Sequence, residues 1–445
     1  MTLTSLTKDS LFNGVDISNL GATIKDAVWV TRRLGIPYLW VDSLCLFQDD
    51  KVAMRKEMDM MTEVYKNATI VLVAASAESV EEGFLHRRPA GDEICCLPLT
   101  LSNEPVNVHM FPRMVYDPTF QAPNHPLDSR AWTMQECALA TRMLVFSEYE
   151  VFWHCAEASH RQLARSHLTI DTRGEYTPGD TFGVHMKFLR LRRALQQGGD
   201  TDWIQHWHQL VEEYTKRKIS DFNDRLNALQ GIVNEIINIS GETYLHGAWS
   251  GSFIQCLAWR NLRPSESSCR SPRAPSWSWA CLDQRIEMVG IRIPYGSFQY
   301  HIPSEPTLSE KDYSQASPSM LEIIIKIPKP AGEGLLELRS CYWGGVLLRG
   351  ALMPESEGFD LGTYYPDLEG EIPTTANTFS LFLGIGGGNY VSNTPQAIFV
   401  RVAEVEDSNY KRLGLRILDT KHTEELIDIM KQWDLDSRMR FLWIV

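Results

Sequence analysis

Apolar residues fall at helical spacing early in the chain. Ile24, Ala27, Val28, Thr31 and Leu34 share one side of a helix that opens on Thr23-Ile-Lys-Asp26, a capping pattern. Gly35 is a C-terminal stop, and Pro37 prevents continuation. Tyr38-Leu-Trp-Val-Asp42 is rich in aromatic and β-branched residues and predicts a short strand with Asp42 exposed at its carboxyl end. Met54, Met58, Met61, Tyr65 and Ala68 form one apolar stripe of a second helix. Thr69–Ala75 is a continuous apolar run, the kind of strand buried on both faces.

This helix–strand alternation predicts an α/β fold with a parallel sheet. Further along, Ser129–Ala140 predicts a helix, and Met143–Ser147 and Glu150–Cys155 predict strands. Residues 156–200 are polar and weakly patterned. Trp203–Ile239 is helical in pattern, with Asp221 as a cap, and Trp249–Trp259 suggests another helix. Ser276-Trp-Ser-Trp-Ala280 alternates with strand period. The last third changes character: Leu321–Ile327, Gly334–Arg339, Gly345–Leu348, Phe379–Gly384, Ala397–Val405 and Arg412–Ile417 predict short strands. Lys421–Trp433 predicts an amphipathic helix and Arg440–Val445 a closing strand.

Composition narrows the function classes. The 445 residues suffice for two or three domains, and 44% hydrophobic content supports a core of normal size. A net charge of −13 with no basic block argues against a nucleic-acid groove. No apolar run is long enough to span a bilayer and no signal peptide is indicated, so a cytoplasmic protein is expected. The nine Cys lack any CxxC pair, which fits reduced thiols rather than a zinc ribbon or a disulfide framework.

Several motifs invite chemistry. Leu383-Gly-Ile-Gly-Gly-Gly-Asn389 superficially matches a phosphate loop, but a strand follows it where a helix is required, so a hairpin loop is expected. His154, Cys155 and His160 make no complete metal set, and no metal site is expected. Cys45 or Cys137 as a nucleophile would define an unrelated hydrolase, although neither has a base visible in the sequence. The Trp residues fit core packing better than sugar stacking. Glu136 stands four residues beyond Trp132, on the same helix face, among apolar neighbours. Such a setting raises a carboxyl pKa and suits acid–base or cation-stabilising work. On local sequence alone, a surface Glu paired with Arg130 or Arg142 is the simpler reading.

Three segments together shift that balance. They are Ile24–Asp50 with Gly-Ile-Pro-Tyr-Leu-Trp-Val-Asp-Ser-Leu-Cys at its centre, Glu57–Ala68, and Leu127-Asp-Ser-Arg-Ala-Trp-Thr-Met-Gln-Glu136. In this order they closely resemble the heterokaryon-incompatibility (HET) domain of filamentous fungi. Gly83-Phe-Leu85 with Arg87, Asp224–Gly231, Gly247-Ala-Trp249 and Ala274–Trp279 fit the same pattern, so the resemblance covers about residues 15–285. HET domains are distantly similar to TIR domains, some of which cleave NAD with a Glu on a Trp-Cys-x-x-Glu helix. Trp132-Thr-Met-Gln-Glu136 has that interval, with Thr133 in place of Cys.

The resemblance implies a TIR/flavodoxin-like parallel sheet core in residues 1–160, a helical extension over 161–290 and a β-rich module over 291–445. The family's opening strand, of the type Leu-Ser-Tyr-x-Trp-Gly, is missing before Ile24. Another segment substitutes for it, the gene model is truncated, or the copy is degenerate. The implied function is nonself recognition and cell death after hyphal fusion. It would be executed either by NAD cleavage or by a non-catalytic signalling module. Glu136 would be the catalytic residue, and Trp40, Asp42, Ser43 and Trp132 would bind ligand. NAD is the expected substrate and no cofactor is required. The expected partners are other incompatibility proteins or a second copy of the chain.

Overall fold

A short helix α1 (Lys8–Phe12) precedes α2 (Ala22–Arg33), which covers the predicted apolar spacing but begins after Gly21, with Thr23 inside the helix and not its cap, and stops at Gly35, whose φ is +69°. The computed structural model describes residues 2–50, 60–86, 95–101, 104–110, 125–147, 151–155, 159–161, 181–197, 203–264, 270–271 and 273–292. It also describes the segments 299–301, 323–328, 335–340, 346–354, 363–368, 378–387, 395–404, 409–419 and 439–444. The contacts among them divide into two compact units. One holds Met1–Arg193 with Arg217–Ile219 and Ala228–Asn234; the other holds Ala194–Lys216, Ser220–Asn227 and Glu235–Val445.

In the first unit the chain runs from α2 through α3 (Asp42–Cys45) and α4 (60–67) to β1 (Val71–Val73). The hairpin β2 (Cys95–Leu101) and β3 (Glu104–Met110) follows. Then come α5 (Ala131–Leu139), β4 (Arg142–Phe146), β5 (Val151–Cys155) and β6 (Ser159–Arg161). The sheet order is β1-β4-β5-β6.

Strand alternation separates the two faces of this sheet. Val73, Ala75, Met143 and Val145 pack with Cys137 and Ala140 at α5. Leu72, Ala74, Leu144 and Phe146 pack with Ala27 and Val30 of α2 and with Phe84. Both faces of the run at Thr69–Ala75 are packed, but only Val73 and Ala75 are fully buried; Leu72 and Ala74 on the other face are half-buried and Thr69 is exposed.

The architecture is mixed α/β, but the sheet is not parallel throughout. β1 and β4 are parallel, while β4–β5 and β5–β6 are antiparallel. Residues 36–41 are extended yet form no strand, and Asp42 begins a helix instead of ending one. Tyr38 is 87% exposed, so this stretch has strand composition without a ladder to join. The N-terminal segment ties itself to the following loop: Leu3 N–H donates to the Ser43 carbonyl at 2.8 Å, and Gln48 N–H donates to the Leu3 carbonyl at 2.9 Å.

A helix α6 (Thr181–Gln197) lies in the stretch taken as weakly patterned. Val184, Phe188 and Leu191 are fully buried at helical spacing, a three-point signal diluted by polar residues around it. The helical region from Trp203 breaks into α7 (Trp203–Thr215) and α8 (Gln230–Ser240). Asp221 caps a 3₁₀ turn between them, where its Oδ1 accepts from Asn223 N–H at 2.9 Å.

In the second unit, β7 (Tyr244–Leu245) and β8 (Ala248–Trp249) form a hairpin over His246 and Gly247, with φ of 42° and 102°. Positive φ at both positions is the signature of a type I′ turn. Within Trp249–Trp259 only α9 (Phe253–Leu257) is α-helical, and β9 (Trp259–Asn261) pairs with β10 (Ile286–Met288). Ser276–Ala280 is a turn and not a strand. Ser278 N–H donates to the Pro275 carbonyl at 3.0 Å, and Ser278 Oγ accepts from Ala280 N–H at 3.0 Å, so local side-chain bonds outcompete the ladder.

This turn is seated on the β7–β8 hairpin. Trp279 Nε1 donates to the Gly247 carbonyl at 3.1 Å, and Ser278 Oγ donates to the His246 carbonyl. Trp207, Trp249, Trp259, Trp277 and Trp279 are all fully buried, so these tryptophans are core.

The rest of this unit is β-rich, as expected. β11 (Ile291–Arg292), β12 (Gln299–His301), β13 (Ile323–Pro328), β14 (Leu335–Ser340), β15 (Val346–Pro354) and β16 (Thr363–Pro366) lead to β17 (Thr378–Gly387). β18 (Pro395–Glu404), β19 (Asn409–Asp419) and β20 (Met439–Ile444) complete an eight-stranded sheet with β11, β12, β15, β16 and β17. The glycines Gly384–Gly387 lie inside β17, not in a loop, with a bulge at Phe382/Gly384. The amphipathic helix expected at Lys421–Trp433 lies outside the described residues.

Candidate functional site

Two other segments of the first unit come near Glu136, and a further one packs against Tyr65. α5 carries Glu136, α4 carries Tyr65, α3 begins with Asp42, and the extended stretch before it carries Trp40. Tyr65 lies near Glu136, and each shifts the acidity of the other. The Trp40 ring stands edge-on to the Tyr65 ring at 5.6 Å and 77°. Glu136 keeps a partly exposed edge, yet protein surrounds it on the scale over which a charge is solvated. Burial is the largest effect on its acidity, and the Asp42 charge adds to it. Arg130 and Tyr65 oppose them, and the carboxyl is left at about 7. Burial, with Glu136 and Asp42 nearby, pushes the Tyr65 phenol well above its ordinary range, so it stays a protonated donor.

The scaffold holds Glu136 on a rigid helix. At the N-terminal end of α5, Ala131 N–H donates to the Lys218 carbonyl at 2.8 Å, and Lys218 N–H donates to the Ser129 carbonyl at 2.6 Å. Thr133 Oγ1 donates to the carbonyl oxygens of Leu127 and Arg130 at 2.9 and 2.8 Å. Gln135 Oε1 accepts from Gly231 N–H at 2.6 Å. His185 Nδ1 lies 3.1 Å from the Cys137 carbonyl. A side chain on such an element keeps its position through a reaction.

Of the residues singled out in the sequence, Asp42 lies near Glu136, and Trp40 packs on Tyr65, which also lies near it. Trp132 is half-buried one helical turn before Glu136. Ser43 is half-buried, and its N–H donates to Asp42 Oδ1 at 2.7 Å, a bond that orients the carboxylate. Tyr65 was legible only as one member of a methionine stripe; a lone phenol in that stripe was the available signal. Arg130 read as an ordinary ion-pair partner; no ion pair joins it to Glu136 among the described residues, and it acts there only as a nearby positive charge.

Cys137 is buried in the cluster against the sheet, and Cys45 is exposed on α3. No group of three or more metal-ligating side chains occurs among the described residues. Among the same residues, no helix is long and apolar enough to cross a membrane.

The first unit is thus a mixed α/β domain with an acidic site flanked by aromatic rings. The sequence model of the family described as heterokaryon incompatibility protein (HET) matches residues 2–136, a stretch that ends on Glu136 itself. Residues 2–136 therefore carry a HET domain. No curated protein and no solved structure matches the chain.

Proposed function

We propose that the HET domain acts as a cell-death effector in fungal nonself recognition by cleaving NAD at the nicotinamide–ribose bond, with Glu136 as the working carboxylate. The observation that carries this reading is the setting of Glu136: a half-buried carboxyl surrounded by protein, with Asp42 and Tyr65 nearby, and raised to about 7. In the reaction the bond between ribose C1′ and the nicotinamide nitrogen breaks, and its electron pair neutralises the pyridinium ring. Water adds to C1′ and releases one proton, so the products are nicotinamide, ADP-ribose and H⁺. Positive charge on ribose peaks in the transition state, where an ionised Glu136 stabilises it and orients a ribose hydroxyl or the water. A carboxyl near 7 suits this work, because it exchanges a proton at physiological pH. Trp40 and Trp132 offer rings for stacking on the base.

The test is direct. Purified protein is incubated with NAD under conditions that favour self-association, and nicotinamide release is followed for the wild type and Glu136→Ala. Release by the wild type alone is expected. No release by either protein would sink the catalytic reading.

A second reading, a non-catalytic interaction module, draws support from exposed apolar residues on and after α2. Trp29, Leu34 and Tyr38 are 55, 48 and 87% exposed, a surface suited to another incompatibility protein or a second copy. Under this reading Glu136→Ala kills hyphae as effectively as the wild type does.

A further inference from the structure

We propose that the two ends of α2 form a head-to-tail contact between copies of this chain, in which the basic, aromatic end of one copy takes the acidic loop of the next. The inference deepens the reading of Trp29, Leu34 and Tyr38 as an interaction surface, commits it to a second copy, and does not depend on Glu136.

The C-terminal end of α2 is basic and apolar at once. Trp29, Arg32 and Arg33 stand three and four residues apart, on one face of the helix. The Arg33 guanidinium lies over the Trp29 ring at 5.4 Å. Both arginines are exposed, and so are Leu34 and Tyr38 just beyond the helix. Arginine in a last turn complements the helix dipole, but the dipole calls for no exposed aromatic ring beside it. Tryptophan, tyrosine and arginine are the residues that dominate binding at protein interfaces.

The N-terminal end carries the opposite charge. Thr23 N–H donates to the Val80 carbonyl at 2.9 Å, and Thr23 Oγ1 donates to the Ser79 carbonyl at 3.0 Å. These bonds seat the loop Glu78-Ser-Val-Glu-Glu82 on the first turn of α2. Its three carboxylates are exposed, and Val80 stands among them as an exposed apolar side chain. Among the described residues, none of these carboxylates and neither arginine forms an ion pair.

The twelve residues of α2 span about 18 Å, so its two charged ends do not pair within one copy. Between copies they can. With a net charge of −13, two copies repel wherever acidic surface meets acidic surface, and a basic patch is the favoured place of contact. Like end against like end sets arginine on arginine or carboxylate on carboxylate, which repel. Unlike ends attract, and each contact leaves one end of α2 free on either side. Such a contact closes into a ring or extends as a filament.

Sedimentation velocity of the full chain reads the association. It should weaken about tenfold or more between about 0.05 and 0.5 M salt. Arg32→Glu with Arg33→Glu reverses one end, and Glu78→Lys with Glu81→Lys reverses the other. Glu82 is left in place because its carboxylate accepts the Glu78 N–H at 2.8 Å. Each reversed protein alone should associate about tenfold or more weakly, and an equal mixture of the two should recover the wild-type behaviour, since every contact then joins unlike charges. Trp29→Ser should weaken association without altering charge, and it decides the matter if a reversed protein fails to fold.

A wild type that stays monomeric at low salt and high concentration would overturn the proposal. So would species that stop at a dimer, or folded reversed proteins whose mixture does not recover. If the chain stays monomeric while Trp29→Ser abolishes hyphal killing, the second copy falls and the interaction surface stands, with a different protein as its partner.

Discussion

Gln135 Oε1 accepts the Gly231 N–H at 2.6 Å, which joins the helix carrying Glu136 to the first turn of α8. That N–H belongs to the helix N-terminus, where no intrahelical acceptor exists. Gln135→Leu should leave it buried and unpaired, at a cost of about 1–3 kcal/mol read from the urea midpoint. Gly231→Ala should be at least as harmful. Its new methyl would meet Thr62 Oγ1, with Leu139 Cδ1 at 2.8 Å and Gln135 Cδ at 2.9 Å. Wild-type stability in Gly231→Ala would show that this contact is not close-packed.

A second clasp joins α2 to the loop before β2. Asp26 Oδ2 accepts from the N–H groups of Phe84 at 2.6 Å and Leu85 at 2.9 Å. Gly83 makes the approach by adopting φ of +76°, and a Cβ there would stand 2.7 Å from Asp26 Oδ2. Gly83→Ala is therefore expected to cost about 1–3 kcal/mol through backbone strain alone. Asp26→Asn, which keeps an acceptor, should be milder than Asp26→Ala. Thermal midpoints would rank the three.

Glu136 also predicts how stability depends on pH. Its carboxyl stands at about 7 in the folded protein against 4.5 ordinarily. Between those values the folded state holds a proton that the unfolded chain has released. Stability from this group is thus fullest below pH 4.5, falls as pH rises through the window, and stays lowered above 7. Glu136→Gln removes the titration. It should gain about 2 kcal/mol over the wild type at pH 8 relative to pH 5, a figure reduced for the solvent that reaches its open edge. Parallel stability curves for the two proteins across this range would refute the burial of the charge.

The buried His208 acts at the other end of the scale. Burial lowers it from 6.5 to about 3, so below pH 6.5 the unfolded chain takes up a proton that the folded state refuses. Stability contributed by neutral His208 is lost as pH falls from 6.5 towards 3. The wild type should lose several kcal/mol over that interval. His208→Leu should lose less, with His185 and His246, also lowered by burial, supplying the remainder. Denaturation series at pH 7 and pH 4.5 would measure the difference.

Much of the chain was legible in advance, because local pattern and burial agreed. The apolar spacing from Ile24, the two-faced run at Thr69–Ala75 and the β-rich final third each formed the predicted type of element. The misreadings share a cause. Tyr38–Asp42 and Ser276–Ala280 have strand composition, but a strand exists only where another offers a ladder, and that is decided far away in sequence. Val184, Phe188 and Leu191 made a helix that three apolar points among polar neighbours only weakly announced.

For the site, the sequence alone determined which carboxylate to watch. The Trp132-to-Glu136 interval and the family motifs singled out Glu136, and its nine-residue helix followed from local pattern. The tertiary structure alone decided what Glu136 is chemically. Asp42 and Tyr65 stand 94 and 71 residues away along the chain, yet both act on its acidity. Acidity depends on the solvent excluded and the charges brought near, which are properties of packing and not of sequence distance.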